Sequence, residues 1–120
     1  MTELIACFSS GEATRKHVAK LIEGESWEKA YIITDESNKK GFPEINNTQI
    51  EFITIAHEQF LPELIEEIKN HLKDKLIGPE VAINLISGTG KEHMALLSAL
   101  LKLGVGIRLV ALTKEGVKEV

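Results

Sequence analysis

The residues best equipped for chemistry lie in two short turns, Ser9-Ser10-Gly11 and Ser87-Gly88-Thr89-Gly90-Lys91. Each follows an apolar run and precedes a helical pattern. A glycine-rich turn that feeds a helix presents backbone N–H groups and the positive end of the helix dipole, an arrangement suited to phosphate and other anions. Ser87 and Thr89 add hydroxyl donors. Lys91 falls in the first helical turn, where a cation opposes the dipole by about 0.3–1 kcal/mol unless an anion lies nearby. That local conflict argues for an anionic ligand over a bare tight turn.

Two common phosphate motifs do not fit. A Walker A loop requires Ser or Thr after Gly-Lys, but Gly90-Lys91 is followed by Glu92. The dinucleotide fingerprint fails at His93 and follows the fourth apolar run instead of the first. The four histidines, His17, His57, His71 and His93, are scattered, and no two have the i, i+4 spacing of a helical metal site. His93 stands beside the glycine turn and is a candidate ligand contact or acid–base group. Cys7 is the single cysteine and lies in an apolar run. It reads as a packed small hydrophobe, with no disulfide or cysteine metal site available within one chain. No metal and no cofactor is expected.

These turns require elements to hold them. Leu4–Phe8, Ala30–Thr34, Ile50–Ile55, Val81–Ile86 and Ile107–Leu112 read as strands. Ser9-x-x-Glu12 has capping-box spacing and predicts that a helix starts there. Val18, Leu21 and Ile22 form its apolar stripe, and Gly24 is its stop. Leu61, Leu64, Ile65, Ile68 and Leu72 mark a second strong helix, with Pro62 in its first turn. Met94 to Leu103 is apolar almost all round, so it must be covered on more than one side, and a second subunit is one cover. Residues 35–49 read as a polar loop with at most one helical turn. The expected fold is α/β, a three-layer Rossmann-like domain over residues 1–120. Its mainly parallel five-stranded sheet has the order 3-2-1-4-5. That order reverses between the first and fourth strands, and ligands bind beyond the carboxyl ends at such a point. Both glycine turns are predicted there.

With 120 residues, 14 Lys and Arg against 18 Asp and Glu, and 5% aromatics, the chain is acidic and poor in stacking side chains. This disfavours a broad surface for duplex nucleic acid or single strands. No apolar run approaches the ~18–20 residues of a membrane span, and no basic secretion leader opens the sequence. A reducing, cytoplasmic setting is expected.

The run from Asn84 through Ser87-Gly88-Thr89-Gly90-Lys91-Glu92-His93 to Met94 resembles the signature of CRISPR-associated Rossmann-fold (CARF) domains. That signature is roughly Asn-x-Thr/Ser-Gly-Gly-Thr-Lys/Arg-x-Met. Ser87, Gly88, Lys91 and Met94 match it in kind. Thr89-Gly90 inverts the usual Gly-Thr, and Glu92-His93 fills a one-residue spacer. The resemblance implies a homodimer binding a cyclic oligoadenylate second messenger of type III CRISPR signalling. Its contacts would come from Ser9, Ser10, Gly11, Ser87, Gly88, Thr89, Gly90, Lys91, His93 and Met94. Some small members of the family are ring nucleases. By that analogy Ser10 and Lys91 would be catalytic, orienting the scissile phosphate and stabilising its charge. The residues themselves leave open an unrelated α/β domain that binds another nucleotide or a phosphorylated metabolite.

Overall fold

The computed structural model describes residues 2–9, 11–56 and 58–120. Its strands and helices are β1 (Leu4–Cys7), α1 (Glu12–Glu23), β2 (Ala30–Thr34), α2 (Glu36–Lys39), β3 (Ile50–Thr54), α3 (Leu61–Leu72), β4 (Glu80–Asn84), α4 (Gly90–Leu103), β5 (Gly106–Thr113) and β6 (Gly116–Glu119). β1 and β2 are buried along their whole length. Continuous apolar runs such as these suit strands covered on both faces. Alternate side chains enter two cores. Ile5, Cys7, Tyr31, Ile33, Val81 and Ile83 face α3 and α4. Leu4, Ala6, Phe8, Ile32, Ala82 and Val110 face α1 and the segment after α2.

The sheet order is β3-β2-β1-β4-β5-β6. β1 pairs in parallel with both β2 and β4, in the registers Ile5↔Tyr31 and Ile5↔Ile83. The molecule is therefore α/β with a mostly parallel sheet. The strand count and full order differ from expectation, because a sixth strand pairs antiparallel with β5 through Thr113↔Gly116. The polar stretch Thr113-Lys114-Glu115-Gly116 is the bend of this hairpin. Gly116 takes φ +99°, a left-handed conformation that tight hairpin bends commonly use. Thr113 Oγ1 accepts from Glu115 N at 3.1 Å and donates to Gly116 O at 2.8 Å.

The start of α1 is a second correction. Its N-cap is Gly11, with no side-chain cap, so Ser9 and Glu12 do not form a capping box. Ser9 is drawn instead into a long-range contact described below. The segment after β2 holds one short helical turn, α2, capped by Asp35, whose carboxylate accepts from Asn38 N at 2.8 Å. Beyond it, Phe42 and Ile45 leave the loop to pack on the core beside α1. α4 ends where the sequence indicated, at Gly104, which takes φ +74°. No helix among the described residues is long and apolar enough to cross a membrane.

Candidate functional site

The β1–α1 and β4–α4 connections meet at the carboxyl ends of the paired strands β1 and β4. They are tied together by side chains. Ser87 Oγ donates to Ser9 O at 2.5 Å and accepts from Ser9 N at 3.0 Å. Ser9 Oγ donates to Glu92 Oε1 at 3.3 Å. Ser9 and Ser87 are buried, so these two hydroxyls fasten one loop to the other.

Glu92 is the residue that sequence reasoning missed. It is 1% exposed, on the first turn of α4. Thr89 N donates to Glu92 Oε1 at 2.9 Å, and Glu92 N donates to Thr89 Oγ1 at 3.2 Å. This is a complete capping box, and it satisfies donors that the start of a helix otherwise leaves unpaired. The Thr-x-x-Glu spacing was present at residues 89–92 but was read only as a phosphate turn. A carboxylate at a helix N-terminus is also stabilised by the dipole.

Gly88 shows how tightly the turn is built. Its φ is +101°, and an added Cβ would lie 2.7 Å from Glu92 Oε1 and 2.9 Å from Cys7 Cβ. Glycine is required there for both conformation and space. Burial and the nearby Glu92 carboxylate push the Cys7 thiol well above its ordinary range, which keeps it unreactive. His93 Nε2 lies 2.8 Å from Ser87 O. A carbonyl only accepts, so Nε2 carries the proton in this bond.

Below the turn, Asn84 Nδ2 donates to Val110 O at 2.8 Å, and Asn84 Oδ1 accepts from Ile86 N at 3.3 Å. His17 Nε2 accepts from Leu112 N at 3.3 Å, which places its ring proton on Nδ1. Burial holds the His17 pKa below the usual 6.5.

The ten residues expected at the site thus divide. Ser9 and Ser87 brace the loops from within, and His93 is tied to the Ser87 carbonyl. Gly11, Thr89, Gly90, Lys91 and Met94 are exposed. A Cβ at Gly90 would meet nothing within 4 Å, so the first turn of α4 opens to solvent. Lys91 Nζ donates to Gln59 O, linking the turn to the connection before α3. Ser10 and His57 lie outside the described residues. No protein-family model matches the chain, and no curated protein matches it.

An arrangement of this kind can cradle an anion: the starts of α1 and α4 are tied together by buried hydroxyls and a capping carboxylate, with Lys91 exposed beside them. An apolar shoulder adjoins it. Met94 and Leu101, at i and i+7 on α4, are 60% and 71% exposed. Leu109 is 44% exposed and shares a strand face with Ile107, which packs toward α3 and α4.

Proposed function

We propose that this domain is a CARF-like homodimer that binds a cyclic oligoadenylate, a second messenger of type III CRISPR signalling. The observation that carries the reading is the fastening of the two glycine turns at the switch point through Ser9, Ser87 and Glu92. It ties together the turns that carry Gly11, Thr89, Gly90 and Lys91, which supports a shared phosphodiester contact. The shoulder of Met94, Leu101 and Leu109 supports the dimer. A monomer rarely leaves large apolar side chains grouped without a partner, and a two-fold contact there would place two cradles on one ligand.

Titration with cyclic tetra- and hexaadenylate, followed by chromatography of the ligand, tests the proposal. Saturable binding at micromolar or tighter affinity, with the ligand intact, is expected. Linear products would convert the reading to a ring nuclease. No binding of either ring would overturn both and leave another phosphorylated ligand as the alternative. Lys91→Ala should weaken binding by ~1–3 kcal/mol, because it removes a charge-assisted contact. Leu101→Asp should give a monomer in sedimentation where the parent chain is dimeric. A parent that sediments as a monomer at micromolar concentration contradicts the dimer.

A further inference from the structure

A recess of about 250 Å³ opens between α1 and the turn after α2, on the sheet face that carries Phe8. Phe8 and Ala19 form its floor and Pro43 one wall, with Arg15, Lys16 and Gly41 at the rim. The guanidinium of Arg15 lies 5.7 Å from the centroid of the Phe8 ring and is half-buried. Among the described residues no carboxylate pairs with it, and its side chain makes no hydrogen bond. The nearby acid on the rim, Glu12, pairs with Lys16 at 3.2 Å. Gly41 brings the turn close to Arg15 without covering it, since a Cβ there would reach 3.4 Å from Nη1.

A guanidinium offers five N–H donors in a planar fork that matches a phosphoryl or carboxylate group with two parallel bonds. Stacking on Phe8 holds that fork in place, which lowers the entropy lost on binding. The recess is smaller than the ~300–1,000 Å³ typical of pockets for drug-sized ligands. We propose that it is a separate site for a small oxyanion carried on an apolar or planar body. Arg15 holds the anion, and Ala19 and Pro43 receive the body. The site does not depend on the cyclic oligoadenylate reading, since none of Arg15, Ala19 and Pro43 belongs to the glycine turns.

Calorimetric titration with phenyl phosphate, benzoate and inorganic phosphate tests this assignment. Saturable binding of phenyl phosphate or benzoate below ~20 mM is expected, with inorganic phosphate at least several-fold weaker because it lacks a body. The tighter of the two aromatic probes identifies the anion as phosphoryl or carboxylate. Arg15→Gln should weaken binding ~10-fold, the loss of a charge-assisted pair. Ala19→Leu, which fills the recess and leaves Arg15 in place, should weaken it by a similar factor. Lys91→Ala should have no effect, which separates this site from the glycine turn. Circular dichroism melts confirm that the variants fold. Three results would each overturn the proposal: no saturable binding of either aromatic probe, equal affinity for inorganic phosphate, or binding that survives both Arg15→Gln and Ala19→Leu.

Discussion

The two ends of the parallel sheet manage polarity in opposite ways. At the amino ends of the strands, charge is neutralised by charge. Glu51 sits between Lys29 at 2.7 Å and Lys75 at 2.5 Å, and the Lys29 ammonium lies 4.9 Å from the centroid of the Tyr31 ring. Glu3, 4% exposed, accepts from Ile77 N at 2.8 Å and from Tyr31 OH at 3.4 Å. At the carboxyl ends, neutral hydroxyls, amides and one capping carboxylate hold two loops together, and the rim is left open to solvent. The first end pairs charges beside recesses of about 210 and 410 Å³. The second is fastened underneath by buried hydroxyls and exposed above.

Substitutions at the carboxyl end should separate rigidity from binding most sharply. Gly88→Ala puts a Cβ into Glu92 and Cys7 at a positive φ. It should destabilise the fold by ~2–4 kcal/mol in urea unfolding, combining overpacking with backbone strain. A loss below ~1 kcal/mol would mean that the turn yields and is no rigid cradle. Glu92→Ala removes the cap and the acceptor for Thr89 N and Ser9 Oγ, and should cost ~2 kcal/mol. Glu92→Gln keeps an acceptor and should cost less. Equal costs for the two variants would show that charge, and not hydrogen bonding, stabilises the turn.

Acidity should then tell the two ends apart. Hydrogen bonds from Lys29 and Lys75 hold the Glu51 pKa below its ordinary 4.5. Its stabilising contribution is complete above about that pH and is lost as pH falls through the lowered folded value. Glu51→Gln should remove that acid-side slope and cost ~1 kcal/mol at neutral pH, a modest figure because the pair is partly solvated. His17 is a base held neutral in the fold, so the unfolded chain protonates first. Stability should therefore decline as pH drops below about 6.5 and level off once the folded ring is also charged. His17→Gln should flatten that region by under ~1 kcal/mol. Unfolding midpoints measured from pH 8 down to about pH 2 check both slopes. A single slope removed by either variant would show that the two ends are not independent.

Most of the sheet could be read from the chain because buried parallel strands are continuous apolar runs, and Leu4–Cys7 and Ala30–Thr34 are of that kind. β6 escaped because Val117-Lys118-Glu119 is a short edge strand, half-exposed and with no apolar run to mark it. The meeting of the two glycine turns followed from strand order. The internal bonding of its loops did not, because Ser9 meets Ser87 and Glu92 only through the pairing of β1 with β4, across about eighty residues of sequence. Local spacing suggested a cap at Ser9-x-x-Glu12, and the long-range partners prevailed. Local spacing at Thr89-x-x-Glu92 was correct. Arg15 carried no signal at all, since its setting depends on Gly41 and Pro43 from another connection.

The β5–β6 hairpin also bears on how copies of this chain can meet. A sheet that ended at β5 would present an eight-residue parallel edge, with unpaired amides and carbonyls ready to accept another strand. β6 covers half of that strand, and its own outer side carries the exposed Lys118 and Glu119. Charged side chains on a short edge strand discourage lateral growth of the sheet. The hairpin thus guards this edge of the sheet against strand addition, which can otherwise continue without limit, and leaves β3 as the other edge.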